Sequence, residues 1–154
     1  MFENFNFENF WRDSKYAIKQ YVSESITDEI INKTESELGY KLPESYIFLM
    51  KQHNGGIPHN KGYLCPNGKI IEIEGILGIG DEKPNSLCGE LGSKFLMEEW
   101  GYPNRGIAIC TTPSGGHDMI FLDYTECGPK GEPKVVHVDQ EKNYKITFVA
   151  NNFE

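Results

Sequence analysis

Thr27-Asp28-Glu29-Ile30-Ile31-Asn32-Lys33-Thr34-Glu35-Ser36-Glu37-Leu38-Gly39 opens the stretch that decides the fold; Tyr40-Lys41-Leu42-Pro43 and then Asn54-Gly55-Gly56 close it. Thr27 is a good N-cap, because its hydroxyl can accept from a first-turn N–H that has no helical partner. Asp28 and Glu29 follow where the helix dipole favours acids, and Ile26 can staple to Ile31 across the cap. Ile30, Ile31, Thr34 and Leu38 share one face, and Gly39 stops the helix because glycine takes positive φ freely. Pro43 suits the first turn of a second helix, with Tyr46, Leu49, Met50 and His53 on its buried face. Asn54-Gly55-Gly56 ends that helix and turns the chain, a backbone requirement rather than a binding loop. Leu42, Tyr46, Leu49 and, further on, Trp100 are therefore expected in the core.

Upstream, Phe2-Glu3-Asn4-Phe5 is repeated as Phe7-Glu8-Asn9-Phe10 and followed by Trp11. Two copies are too few for a solenoid. Phe7, Phe10, Trp11 and Ile18 fall at helical spacing, which predicts a helix laying an aromatic stripe on the body. Downstream, the period changes after residue 60. Ile71 and Ile73 alternate with Glu72 and Glu74, and a helix is expected from about Ser93 until Pro103 forbids it. Strands are expected at 107–111, 119–122, 135–138 and 144–149, separated by Pro113-Ser114-Gly115-Gly116 and Gly128-Pro129-Lys130-Gly131. Helices first and antiparallel strands later predict an α+β fold: N-terminal helices packed on a twisted, mainly antiparallel β-sheet.

A chain of 154 residues fits one domain, and 38% hydrophobic with 12% aromatic residues is too rich for disorder. No apolar run approaches the ~18 residues of a membrane span. The start, Met1-Phe2-Glu3-Asn4-Phe5, carries acid where a signal peptide carries Lys or Arg, so a cytoplasmic protein is expected. Cys65, Cys88, Cys110 and Cys127 lie about twenty residues apart with no Cys-x-x-Cys pair. They read as free thiols rather than a zinc site or disulfides.

Net charge is -8, and residues 81–141 alone contribute -6 from eleven acids and five bases. That balance disfavours direct nucleic-acid binding, which needs clustered Lys and Arg, and permits a basic protein partner. His117-Asp118 follows a Gly-Gly turn into a strand without the further ligands a metal phosphohydrolase requires, so the pair is expected to tie down the turn through backbone hydrogen bonds. Gly75-x-x-Gly78-x-Gly80 lacks a Walker lysine and reads as a strand edge or bulge. Ser114 lacks a nucleophile elbow. Glu98 and Glu99 point ~100° apart on a helix and form no acid/base pair. No catalytic residue, metal or cofactor is indicated.

Glu37-Leu38-Gly39, Leu42-Pro43-x-x-Tyr46, Leu49 and Asn54-Gly55-Gly56 together resemble the signature of the SUKH superfamily. Its members include the fungal regulator of cell-wall glucan synthesis and many bacterial immunity proteins. A second block resembles one bacterial subgroup: Glu98-Glu99-Trp100-Gly101-Tyr102-Pro103, Ser114 to Asp118, Leu122-Asp123-Tyr124 and Gly131-Glu132-Pro133-x-Val135 to Asp139. The likeness spans about residues 10–153. Two features depart from it: the aromatic extension of residues 1–10, and an ending at Phe153-Glu154 where members usually add a C-terminal helix.

The resemblance implies a single SUKH-like domain over 1–154 that acts without catalysis. One reading is an immunity protein that binds and neutralises a polymorphic toxin, often a nuclease. The alternative is a regulatory scaffold like the fungal relatives. For the first, the -6 segment predicts a basic toxin, met by exposed acids at Asp81, Glu82, Glu98, Glu99 and Glu126. The protein is expected to be a monomer or weak dimer.

Overall fold

The computed structural model describes residues 1–154. Three helices come first: α1 (Lys15–Gln20), α2 (Asp28–Leu38) and α3 (Glu44–Gln52). A small hairpin, β1 (Gly62–Leu64) with β2 (Ile70–Glu72), and the short β3 (Gly75–Ile76) follow. Then come α4 (Ser93–Glu99), β4 (Gly106–Thr111), β5 (Asp118–Asp123), β6 (Lys134–Asp139) and β7 (Lys145–Ala150). β3 to β7 form one five-stranded antiparallel sheet in chain order, and β1 and β2 pair apart from it. This is the α+β meander expected from the change of period.

The punctuation of α2 has its expected physical basis. Thr27 Oγ1 accepts from Ile30 N at 3.3 Å, and Gly39 leaves the helix with φ of 82°. Glu35, in contrast, is buried and bonds Leu42 N and Lys41 Nζ. It thereby ties the end of α2 to the segment that starts α3.

Both faces of the sheet are covered, which is why β4 and β5 lack a polar alternation. Ile107, Ile109, Ile120 and Leu122 join Tyr46, Leu49 and Met50 in the main core under the N-terminal helices. Ala108, Met119, Phe121, Val136 and Val138 form a second cluster under Leu96 of α4. Leu42, Tyr46 and Leu49 are buried, whereas Trp100 is only half-buried at the end of α4, packed against the His117 ring at 4.2 Å. His53, expected on the buried face of α3, is likewise partly exposed, because α3 ends before it.

The helix expected over residues 7–18 does not form. Each repeat unit instead closes as a turn: Phe5 N donates to Phe2 O and Phe10 N to Phe7 O, both at 3.0 Å. Asn4 and Asn9 sit in the left-handed region at φ of 65° and 60°, which asparagine tolerates better than most side chains. Local turn chemistry therefore overrides the helical spacing of the aromatics. Helix begins only at Lys15, where Ser14 Oγ accepts from Ala17 N. The turns form a strap across α3, with Phe2 stacked on Phe48 at 5.8 Å and Trp11 on His53 at 4.6 Å.

Candidate functional site

The motif residues build the frame. Asn54 is buried, with Oδ1 accepting from Ile79 N at 2.7 Å and Nδ2 donating to Ile79 O at 3.0 Å and Glu24 O at 3.3 Å. Gly55, at φ of 84°, has no room for a side chain: a Cβ would lie 2.6 Å from Tyr21 O. The Tyr46 hydroxyl donates to Leu77 O. These contacts bind the end of α3 to the loop after β3 and so hold Ile79 to Glu82 against α2.

The turn after β4 is also structural, but not in the expected way. Asp118 accepts from Thr112 Oγ1 at 2.6 Å and lies 2.7 Å from Nε2 of the buried His137. Side chains, rather than backbone groups, thus engage its carboxylate. Burial would raise the Asp118 pKa, but hydrogen bonds from His137, Ser114 and Thr112 outweigh it and hold the carboxyl below its ordinary range. His117 turns away: its Nδ1 lies 3.3 Å from Glu141 Oε1 without the alignment of a hydrogen bond. His117 and Asp118 therefore point at different partners, and no group of three His, Cys, Asp or Glu side chains able to hold a metal forms. Asp123 is paired with Arg105 at 2.8 Å beneath Thr125, and Pro133 is buried beside Gly131 and the exposed Glu132.

The open concave surface lies along α2. Ile30, Lys33, Thr34 and Glu37 form one wall of a groove of about 280 Å³ whose other wall is Ile79 to Glu82, with Glu24 at one end. Four carboxylates, Glu24, Glu37, Asp81 and Glu82, thus face one ammonium, Lys33. Lys33 Nζ lies 3.8 Å from Asp81 Oδ2 with both groups mostly in solvent, so it neutralises little. Glu82 Oε2 accepts from Glu24 N at 2.8 Å, which fixes the loop that carries the acids. Cys88 also lines the groove, but burial, reinforced by Glu37, pushes its thiol up to about 12 and keeps it protonated at neutral pH.

Glu37 also borders a second concavity, shared with Tyr40, Lys94, Glu98 and Asn104. Asp81, Glu82 and Glu98 therefore gather on either side of Glu37, at the carboxyl end of α2. Glu99 and Glu126 do not join them: Glu99 lines neither concavity, and Glu126 is paired with Lys134 at 2.5 Å. Glu24 and Glu37, which line the groove, are not among the acids singled out from the sequence. The available signal for Glu37 was the stripe at positions 30, 33, 34 and 37, which marks one continuous helix face, whereas Glu24 precedes the helix and carries no such signal.

The helical N-terminal part, the meander and the Asn54-Gly55-Gly56 junction define the class. The chain belongs to the SMI1 / KNR4 family (SUKH-1), whose family model matches residues 25–154. No curated protein matches it. The aromatic strap lies outside the matched residues, and the groove lies almost wholly within them.

Proposed function

We propose that this SUKH-1 domain is a non-enzymatic immunity protein that binds a basic toxin through the acidic groove along α2. The observation that carries the reading is the gathering of Glu24, Glu37, Asp81 and Glu82 around a concave surface with one lysine to offset them. A recessed array of carboxylates focuses negative potential and steers a positively charged surface into encounter. The fixed backbone of the 79–82 loop, held by Asn54 and by the Glu82 contact to Glu24, presents those charges with less ordering cost on binding than a free loop would. Toxin neutralisation then follows from docking: the domain covers a basic working surface and releases no product.

The test pairs the protein with the toxin encoded beside its gene and measures association at low and high salt. Glu37→Lys and Asp81→Lys together should slow association by about tenfold or more at low salt and flatten the salt dependence. Glu126→Lys, outside the groove, should do neither. Unchanged rates in the groove variant would overturn the acidic-groove reading. If no adjacent toxin exists and the groove instead captures an endogenous basic protein, the regulatory reading replaces the immunity one.

A further inference from the structure

The chain contains two Asn-Gly pairs, Asn54-Gly55 and Asn67-Gly68, in opposite surroundings. An asparagine before glycine is chemically labile, because glycine has no side chain to shield its backbone nitrogen from the asparagine amide carbon. Asn54 is buried, and its amide bonds the backbone of Ile79 and Glu24. The Gly55 N–H donates to His53 O at 2.9 Å, and Gly55 packs against the backbone of Tyr21 and Gly78. Neither reacting group can approach the other without opening the core.

Asn67 stands at the tip of the β1–β2 hairpin, where Cys65-Pro66-Asn67-Gly68 close a turn through Gly68 N donating to Cys65 O at 2.9 Å. Asn67 Oδ1 accepts from Lys69 N at 3.0 Å, and Cys65 N donates to Lys69 O at 2.8 Å. Asn67 and Gly68 are both exposed, and Gly68 sits at φ of 85° with open space where a side chain would be. Only three cross-strand pairs support this turn, and the hairpin lies outside the main sheet. So short a ladder opens at its tip far more readily than the body unfolds.

We propose that Asn67 is a site of spontaneous covalent modification, deamidating when the hairpin tip opens, while Asn54 stays intact in the folded chain. The Gly68 nitrogen, its proton lost to solvent, attacks Asn67 Cγ. The N–Cγ bond forms, the Cγ–Nδ2 bond breaks, and ammonia leaves with a proton from water, closing a cyclic imide. Water then adds to either imide carbonyl. Cleavage of the new N–Cγ bond gives aspartate on an unchanged backbone. Cleavage between the residue 67 carbonyl carbon and Gly68 N gives isoaspartate, with the main chain rerouted through Cγ. The net change exchanges water for ammonia, with no oxidation or reduction. Either product adds a negative charge beside Lys69, and isoaspartate also adds a carbon to the turn that sets the hairpin register. That register seats the buried Cys65 and Ile71 in the core and lets the Tyr63 hydroxyl reach Val149 O at 3.0 Å. The rerouted chain therefore loosens the hairpin and bares the Cys65 thiol, which the aspartate form keeps covered.

The experiment incubates the full chain at one mildly alkaline pH, folded and in denaturant, and follows both pairs by peptide mass spectrometry. The denatured chain converts at both pairs and sets the reference rate for each. In the folded chain, conversion at Asn67 should slow less than about tenfold against its reference, and conversion at Asn54 more than about a hundredfold. Asn67→Gln keeps an exposed amide, but its longer side chain closes the imide ring poorly, so no acidic species should appear over the same time. Ion exchange and an isoaspartate-specific methyltransferase then isolate and identify the modified fractions. Cys65 in the isoaspartate fraction should react with a thiol reagent at least about tenfold faster than in the parent, read by peptide mapping, whereas Asn67→Asp should match the parent. Equal protection at the two pairs, an acidic species that persists in Asn67→Gln, or unchanged Cys65 labelling in the isoaspartate fraction would overturn the proposal.

Discussion

Leu49 and Phe48 are neighbours on α3 and both apolar, yet they belong to two differently built regions. Leu49, 3% exposed, packs with Tyr46 and Met50 into the body beneath the sheet. Phe48, 37% exposed, meets the N-terminal strap, where Phe2 and Phe7 lie against it at 5.8 and 6.3 Å. The body side is continuous with a core of aliphatic residues and buried hydrogen bonds. The strap side is a mosaic of aromatic edges and faces over two tight turns. Area removed from water, rather than side-chain type, separates them.

The sharpest test of that contrast is Leu49→Ala. A buried leucine reduced to alanine loses transfer energy and leaves a cavity, so stability should fall by ~2–5 kcal/mol in denaturant titration. A loss below about half a kcal/mol would place Leu49 at the surface and erase the distinction. Asn54→Ala follows. It strips partners from the buried N–H and C=O of Ile79, and each orphaned group costs ~1–3 kcal/mol. The expected loss is about 2–4 kcal/mol. A smaller value would mean that the 79–82 loop is held by something other than Asn54.

Acid titration probes the body in another way. A carboxyl held below its ordinary value of 3.8, as Asp118 is, stabilises the fold above that value. The contribution is lost as pH falls through the lowered folded value. Asp118→Asn should therefore reduce stability by about 1–3 kcal/mol at neutral pH and flatten the loss of stability below pH ~4. An acid limb as steep in the variant as in the parent would show that other carboxyls govern it.

Phe48→Ala should cost about 1–2 kcal/mol, because the ring forfeits two aromatic contacts and the part of its area that the strap covers, but leaves no closed cavity. A loss equal to that of Leu49→Ala would make the strap part of the core.

The body was legible from sequence because several signals there agree. Thr27, Asp28, Glu29 and Gly39 each mark the same helix, and the strands from Ile107 onward are bounded by Gly and Pro. The strap was not legible as a strap, since Phe7, Phe10 and Trp11 satisfy a helical period that the asparagines contradict. Two aromatic turns with Asn third in each carry a clear turn signal, and the longer-range pattern masked it. Trp100 misled in a related way: a large aromatic at a helix end looks like core, but α4 stops beneath it. The groove was half legible. Charge density pointed to Asp81, Glu82 and Glu98, whereas Glu24 and Glu37 acquire their place only when Asn54 folds one loop against α2. Glu126 looked free in sequence and is paired with Lys134, eight residues on, across a turn no local pattern reveals.

The smallest effect belongs to the turns themselves. Asn9 sits at φ of 60° with its side chain exposed, so its contribution is conformational rather than a matter of contact. Glycine takes that conformation without steric cost but adds freedom to the unfolded chain, and the two effects oppose each other. Asn9→Gly should therefore leave stability within about half a kcal/mol of the parent. Asn9→Val should lower it by about 1 kcal/mol, because a β-branched side chain clashes with the carbonyl in the left-handed region. Thermal unfolding of the two variants side by side measures the difference. Equal stability for Gly and Val would mean that the strap opens at little cost and the turn is not maintained in solution. A valine penalty as large as that of Leu49→Ala would mean that the turn geometry is transmitted through Phe10 and Trp11 into the body, and that the strap and the core unfold as one unit.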